Sequence, residues 1–99
     1  MENKFIILVN DNLESYIILS NVNYHRKIEA PSGMGRPIGR AGGGKWFINS
    51  NGELKLYDLS CDFGKYDKEM AQEAFNNKRI YYSDKPAYHE FKISKLKME

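Results

Sequence analysis

Ninety-nine residues leave room for one domain, and a chain of this length buries roughly 60–70% of its unfolded surface. Hydrophobic residues make up 41% and charged residues 28%, a balance that excludes disorder as the main state. Fifteen Lys and Arg against thirteen Asp and Glu give a net charge of +2, which argues against a general nucleic-acid binder.

Lys4–Val9 is predicted to be a strand. It is apolar on both faces, which places it inside a sheet covered on both sides. Its run Phe5-Ile6-Ile7-Leu8-Val9 is far shorter than the roughly 20 residues of a membrane span, and too short for a signal peptide. Asn10-Asp11-Asn12 is a turn signal. Glu14–Ser20 reads as a second apolar strand, paired with the first as a hairpin.

Pro31, Gly33, Gly35, Pro37, Gly39 and Gly42-Gly43-Gly44 then crowd the chain. Helix interiors lose about 1 kcal/mol per Gly and about 3 kcal/mol per Pro, so at most a short turn is expected here. Ala30–Gly42 reads as a mobile loop that orders when an anion binds.

Lys45-Trp46-Phe47-Ile48 and Glu53–Ser60 flank Asn51-Gly52, a hairpin signal in which both central residues take positive φ. Leu54 and Leu56 share one face, with Lys55 and Tyr57 on the other. Asp67 is a predicted N-cap for a helix through Asn77, with Met70, Ala71, Ala74 and Phe75 as its apolar stripe. Ser83-Asp84-Lys85-Pro86 breaks the chain, and Tyr88–Ser94 is read as a last strand with Phe91 and Ile93 on one face. The expected fold is α+β: a single domain with a mixed or antiparallel sheet of about five strands and one main helix.

The chemistry-bearing residues are few. His25 precedes the basic pair Arg26-Lys27, and His89 opens the last predicted strand. A lone histidine is more often structural than catalytic, and two without nearby carboxylate spacing make no metal site, so neither metal nor cofactor is expected. Cys61, the single cysteine, excludes an internal disulfide and suits a reducing cytoplasm, the expected location. It has no base beside it in sequence.

Arg36, Arg40 and Lys45 are interleaved with glycines, an arrangement that suits an anion as well as it suits a solvated loop. The spacing matches neither the G-x-x-x-x-G-K-[ST] phosphate loop nor a dinucleotide fingerprint, because a strand follows Lys45. The backbone of Ser60-Cys61-Asp62-Phe63-Gly64 could form an anion-binding nest, or serve as an ordinary strand–helix connection.

Three blocks, in order, resemble the Janus/Ocnus family: Tyr24-His25 with Ile28, Gly42-Gly43-Gly44-Lys45, and Lys55-Leu56-Tyr57-Asp58-Leu59-Ser60-Cys61-Asp62-Phe63-Gly64. Lys4-Phe5-Ile6-Ile7-Leu8 is similar to the family's first strand. The resemblance spans about residues 4 to 78. It implies a metal-independent phosphatase acting on phosphohistidine or a related phosphorylated substrate, over one domain of residues 1–99. It implies His25, beside Tyr24, as the catalytic group. Lys4, Tyr24, Gly44, Lys45, Ser60 and the backbone around Cys61 and Asp62 would hold the phosphate, and Arg36 and Arg40 would add charge. The chain departs from the family in four places. Pro31 and the glycines replace the helix after Tyr24-His25, Lys45 stands for Arg, Leu19-Ser20 lacks an arginine, and Asp62 replaces a small neutral residue.

Two functional readings follow. One is the phosphatase, with a phosphorylated protein or small anionic ligand as partner. The other is a non-catalytic module that holds an anionic ligand or a protein partner through its Gly/Arg loop. No membrane or nucleic-acid partner is expected.

Overall fold

The computed structural model describes residues 2–99, and the apolar run near the N-terminus forms its central strand. β1 (Lys4–Asn10) lies between β2 (Ser15–Ser20) and β3 (Pro37–Ile48). Phe5 and Ile7 point into one apolar cluster, Ile6 and Leu8 into another. That two-sided burial is why the strand lacks polar alternation. Asn10 closes the β1–β2 turn: its Oδ1 accepts the N–H groups of Asn12 and Glu14, and its Nδ2 donates to the Met34 carbonyl.

The described residues form one mixed sheet of seven strands, in the order β6-β5-β2-β1-β3-β4-β7. β4 is Glu53–Tyr57, β5 Ile80–Tyr82, β6 Lys85–Pro86 and β7 Lys95–Met98. The β2–β5 and β4–β7 pairs are parallel and the others antiparallel. The class is α+β, with seven strands where the sequence suggested about five.

One face carries α1 (Lys68–Asn76) and α2 (Ala87–Phe91). The Asp67 side chain caps α1 by accepting the Met70 N–H at 3.0 Å. Ala71 and Ala74 are fully buried in the sheet, with Met70 and Phe75 packed at the margin. The other face is covered by single 3-10 turns at His25–Lys27 and Ser32–Met34. Ile28 and Met34 bury there against Ile6, Leu8 and Ile18.

Four expectations need correction. Ala30–Gly42 is not a loop throughout: Pro37 opens β3, where a missing N–H costs nothing. The pairing of β3 with β1 runs Lys4↔Lys45, Phe5↔Gly44 and Ile6↔Gly43, then shifts to Leu8↔Arg40. Ala41 and Gly42 thus oppose Ile7 in a β-bulge, and Gly42 supplies a φ of 81°. Because of the bulge, Arg40 and Gly43 lie on the same face of the sheet.

The β3–β4 hairpin forms as expected, pairing Trp46 with Leu56 and Ile48 with Leu54. Its turn differs. The Gly52 N–H donates to the Asn49 carbonyl, and Gly52 takes positive φ while Asn51 does not. β4 also stops at Tyr57, not Ser60, because Asp58 at φ 64° turns the chain.

Tyr88–Ser94 is not a strand. Pro86 precedes α2, Ala87 and Phe91 supply an i, i+4 apolar pair, and Lys92 ends the turn in the left-handed region. Phe91 packs against Trp46 and Tyr82, with ring centroids 5.5 and 5.2 Å away. The last strand is β7, which runs parallel to β4.

Candidate functional site

A cleft of about 400 Å³ opens where β1 begins, Lys45 enters the β3–β4 pairing and the chain leaves β4. β1 supplies Lys4, the first 3-10 turn His25 and Arg26, β3 Lys45, and the segment after β4 supplies Asp58, Leu59, Cys61 and Asp62. Tyr24 stands at the rim, half exposed, with the Arg26 guanidinium 4.6 Å from its ring centroid.

His25 is 4% exposed and borders the cleft. Its Nε2 lies 2.8 Å from the Gly44 carbonyl oxygen. A carbonyl only accepts, so Nε2 carries the proton, and in the neutral ring Nδ1 holds the lone pair. Nε2 makes the ring's hydrogen bond, and no buried side-chain nitrogen or oxygen among the described residues lacks a partner. Nδ1 therefore reaches solvent.

The glycines shape this seat. A Cβ on Gly43 would sit 2.4 Å from the Phe5 carbonyl oxygen and 3.2 Å from His25 Cδ2. A Cβ on Gly44 would sit 2.3 Å from the Tyr57 carbonyl oxygen. The triplet is needed for close approach between strands and against the imidazole, not for loop freedom.

Lys4 and Lys45 are cross-strand partners, each held by a carboxylate. Lys4 Nζ lies 2.7 Å from Glu2 Oε2, and Lys45 Nζ lies 3.4 Å from Asp58 Oδ2. The hydrogen bond to Asp58, then its charge, raises the Lys45 ammonium above its ordinary pKa. The Leu59 N–H, and then Lys45, lower the Asp58 carboxyl. The hydrogen bond and charge of Lys4 lower Glu2 likewise. Both pairs are solvent-facing on at least one side, so their net stabilisation is small.

Asp62 points back to the first 3-10 turn. Its Oδ2 accepts the Arg26 N–H at 3.3 Å, and its Oδ1 lies 3.6 Å from Arg26 Nη1. Each basic group of the cleft, Lys4, Lys45 and Arg26, thus faces its own carboxylate.

Ser60 is buried below this surface. Its Oγ accepts the N–H groups of Asp62 and Phe63, at 3.2 and 3.0 Å. Ser60 and Gly64 also exchange backbone hydrogen bonds. The amides expected to form an anion nest are therefore turned onto Ser60, which shapes the turn that presents Cys61 and Asp62. Cys61 is exposed at the cleft.

Arg36 and Arg40 do not border the cleft. The Arg36 carbonyl accepts the Asp11 N–H, and the Arg40 guanidinium stacks 4.8 Å from the Phe63 ring centroid. Sequence reasoning missed Glu2, Arg26 and Asp58 as cleft residues. Arg26 and Asp58 lie within or beside the family-like blocks, whereas nothing in the sequence marks Glu2. Among the described residues, no three His, Cys, Asp or Glu side chains come together as a metal site would require, and no helix is long and apolar enough to cross a membrane.

No family model, curated protein or solved structure matches this chain.

Proposed function

We propose that this cleft is a metal-independent phosphatase site acting on phosphohistidine or a related phosphorylated substrate, in line with the resemblance to the Janus/Ocnus family. The observation that carries the reading is the seating of His25. The Gly44 carbonyl fixes the Nε2–H tautomer and leaves the Nδ1 lone pair at the cleft, near two lysines on one rung of the sheet.

In this reading Nδ1 acts as base or nucleophile toward the phosphoryl group. The P–N bond of the substrate breaks, water supplies the oxygen that ends on phosphate, and a water proton ends on the leaving imidazole. Lys4 and Lys45 exchange their carboxylate partners for phosphoryl oxygens and stabilise the charge on the equatorial oxygens. Single-turnover hydrolysis of a phosphohistidine peptide tests this. His25→Ala abolishes turnover, with circular dichroism and urea unfolding used to show that this buried substitution leaves the variant folded; full activity in that variant refutes the reading.

One observation favours the second reading, a non-catalytic module for an anionic ligand or protein partner. Asp62 places a carboxylate on the cleft that His25 borders, held against Arg26, where an incoming phosphate meets repulsion. Phosphate binding without turnover by the wild-type chain would decide for that module.

A further inference from the structure

We propose that the outer edge of β3 at Pro37–Arg40 is a docking edge for an extended segment of a phosphorylated protein, which pairs there as an added strand and lays its phosphorylated side chain in the His25 cleft. The proposal rests on the phosphatase reading of that cleft and names its substrate class: a protein segment, not a free phosphorylated metabolite.

The outer edge of β3 is only partly covered. β4 pairs with Lys45–Ile48. The Gly43 N–H donates to the Gly64 carbonyl, and the Ala41 carbonyl accepts the Asp67 N–H. Beyond that point no strand among the described residues covers Pro37–Arg40, and all four residues are exposed. The two ends of the sheet are protected. β6 is two residues long and holds Pro86, and β7 carries the exposed Lys95 and Lys97. The open part of β3 instead shows Ile38, 54% exposed, beside Gly39. Pro37 has no N–H, so the pairing surface here is the main chain of Ile38–Arg40, a short open edge of the kind that β-augmentation uses.

A groove of about 410 Å³ runs beside this edge. Leu8, Ile28, Ala30 and Ile38 give it an apolar floor for one side chain of an added strand, and Arg26 and Arg40 give it charge. Arg26 borders both this groove and the His25 cleft, so the two adjoin at that side chain. The Arg40 guanidinium lies on Phe63 and makes no ion pair among the described residues, which leaves its donors available to an acidic segment. Where the Gly64–Asp67 segment takes over the edge of β3, an incoming peptide must leave it. Arg26 stands on the way from there to the cleft.

The test is amide hydrogen exchange on the intact chain. The probe is a short extended peptide bearing a non-hydrolysable phosphonate analogue of phosphohistidine, with inorganic phosphate as control. The peptide slows exchange at Ile38, Gly39 or Arg40, and phosphate alone does not. Ile38→Lys weakens peptide binding about tenfold and leaves phosphate binding unchanged. N-methylation of alternate peptide amides weakens binding to the wild-type chain in the same way, a check that involves no altered protein. The proposal is overturned if the peptide leaves exchange at residues 38–40 unchanged, or if Ile38→Lys and N-methylation both leave peptide affinity intact. The phosphatase reading is judged separately, by turnover in His25→Ala, so either can fail without the other.

Discussion

Lys4 of β1 and Lys45 of β3 stand on the same rung of the sheet, two ammonium-bearing residues paired across antiparallel strands. Like charges placed opposite one another destabilise a sheet, and here Glu2 and Asp58 offset the repulsion. The same carboxylates compete with any anion for the lysines. Asp58→Asn removes one competitor, and asparagine tolerates the left-handed backbone at this position. Phosphate binding to Asp58→Asn should tighten by up to about fivefold, measured by titration at low salt. Unchanged or weaker binding would show that Asp58 is not competing.

The Lys45–Asp58 pair fixes a pH window. Asp58 is depressed below 3.8 in the fold, so its contribution is present above that value and lost as pH falls through the lower, folded pKa. Lys45 is raised above 10.5, so its contribution is present below that value and lost as pH rises through the higher, folded pKa. The pair stays charged throughout the neutral range. An NMR titration of the Asp58 carboxyl should give a midpoint below 3.8, and Lys45→Ala should move it upward. A midpoint that Lys45→Ala leaves in place would mean that the Leu59 N–H acts alone.

Asp62→Ala probes the carboxylate on the cleft that His25 borders. It removes a negative charge from the cleft and frees the Arg26 guanidinium. In the phosphatase reading kcat/KM on a phosphohistidine peptide should rise several-fold, by roughly the factor a single nearby charge confers. A fall would assign Asp62 a positive role in binding or in holding the first 3-10 turn.

Gly43→Ala drives a Cβ to 2.4 Å from the Phe5 carbonyl oxygen, so β1 and β3 must part or His25 must move. Urea unfolding should show a loss of about 1–3 kcal/mol. Gly39→Ala is the control, because nothing lies within 4 Å of its added Cβ. Equal stability of the two variants would contradict the close packing of the triplet.

The legible parts of the fold are those written in local pattern. Phe5–Val9 and Tyr16–Leu19 are long apolar runs, and Leu54 and Leu56 alternate with polar neighbours. Asp67 with Met70, Ala71 and Ala74 is a cap followed by a helical stripe. β5, β6 and α2 span three, two and five residues, too few for a period to emerge, and β5 and β7 depend on parallel pairing with distant strands. Phe91 looked like one side of a strand because its partner in the helical turn, Ala87, is small.

The sequence suggests that the glycines let the backbone approach an anion, whereas the fold uses the missing side chains of the triplet to let strands and the imidazole approach. Sequence cannot distinguish these, because both require glycine. The carboxylates facing Lys4 and Lys45 were hidden for a different reason. Glu2 and Asp58 are 56 positions apart (58 − 2 = 56), and only the register of β1, β3 and β4 brings them to one cleft.

The bulge at Ala41-Gly42 sets the phase between the two halves of β3. Side chains on a strand alternate, so an odd separation, such as that from Arg40 to Gly43, would normally put the two on opposite sides. The extra residue resets the parity. Arg40, Gly43 and Lys45 then share one side with Lys4, and the exposed edge and the histidine seat are geared together. Straightening the bulge at constant length, with the Lys4↔Lys45 rung kept, would retain the cleft and pair Arg40 with Val9, turning it to the helical side of the sheet. The bulge is thus the joint at which one half of the strand can be re-aimed without the other.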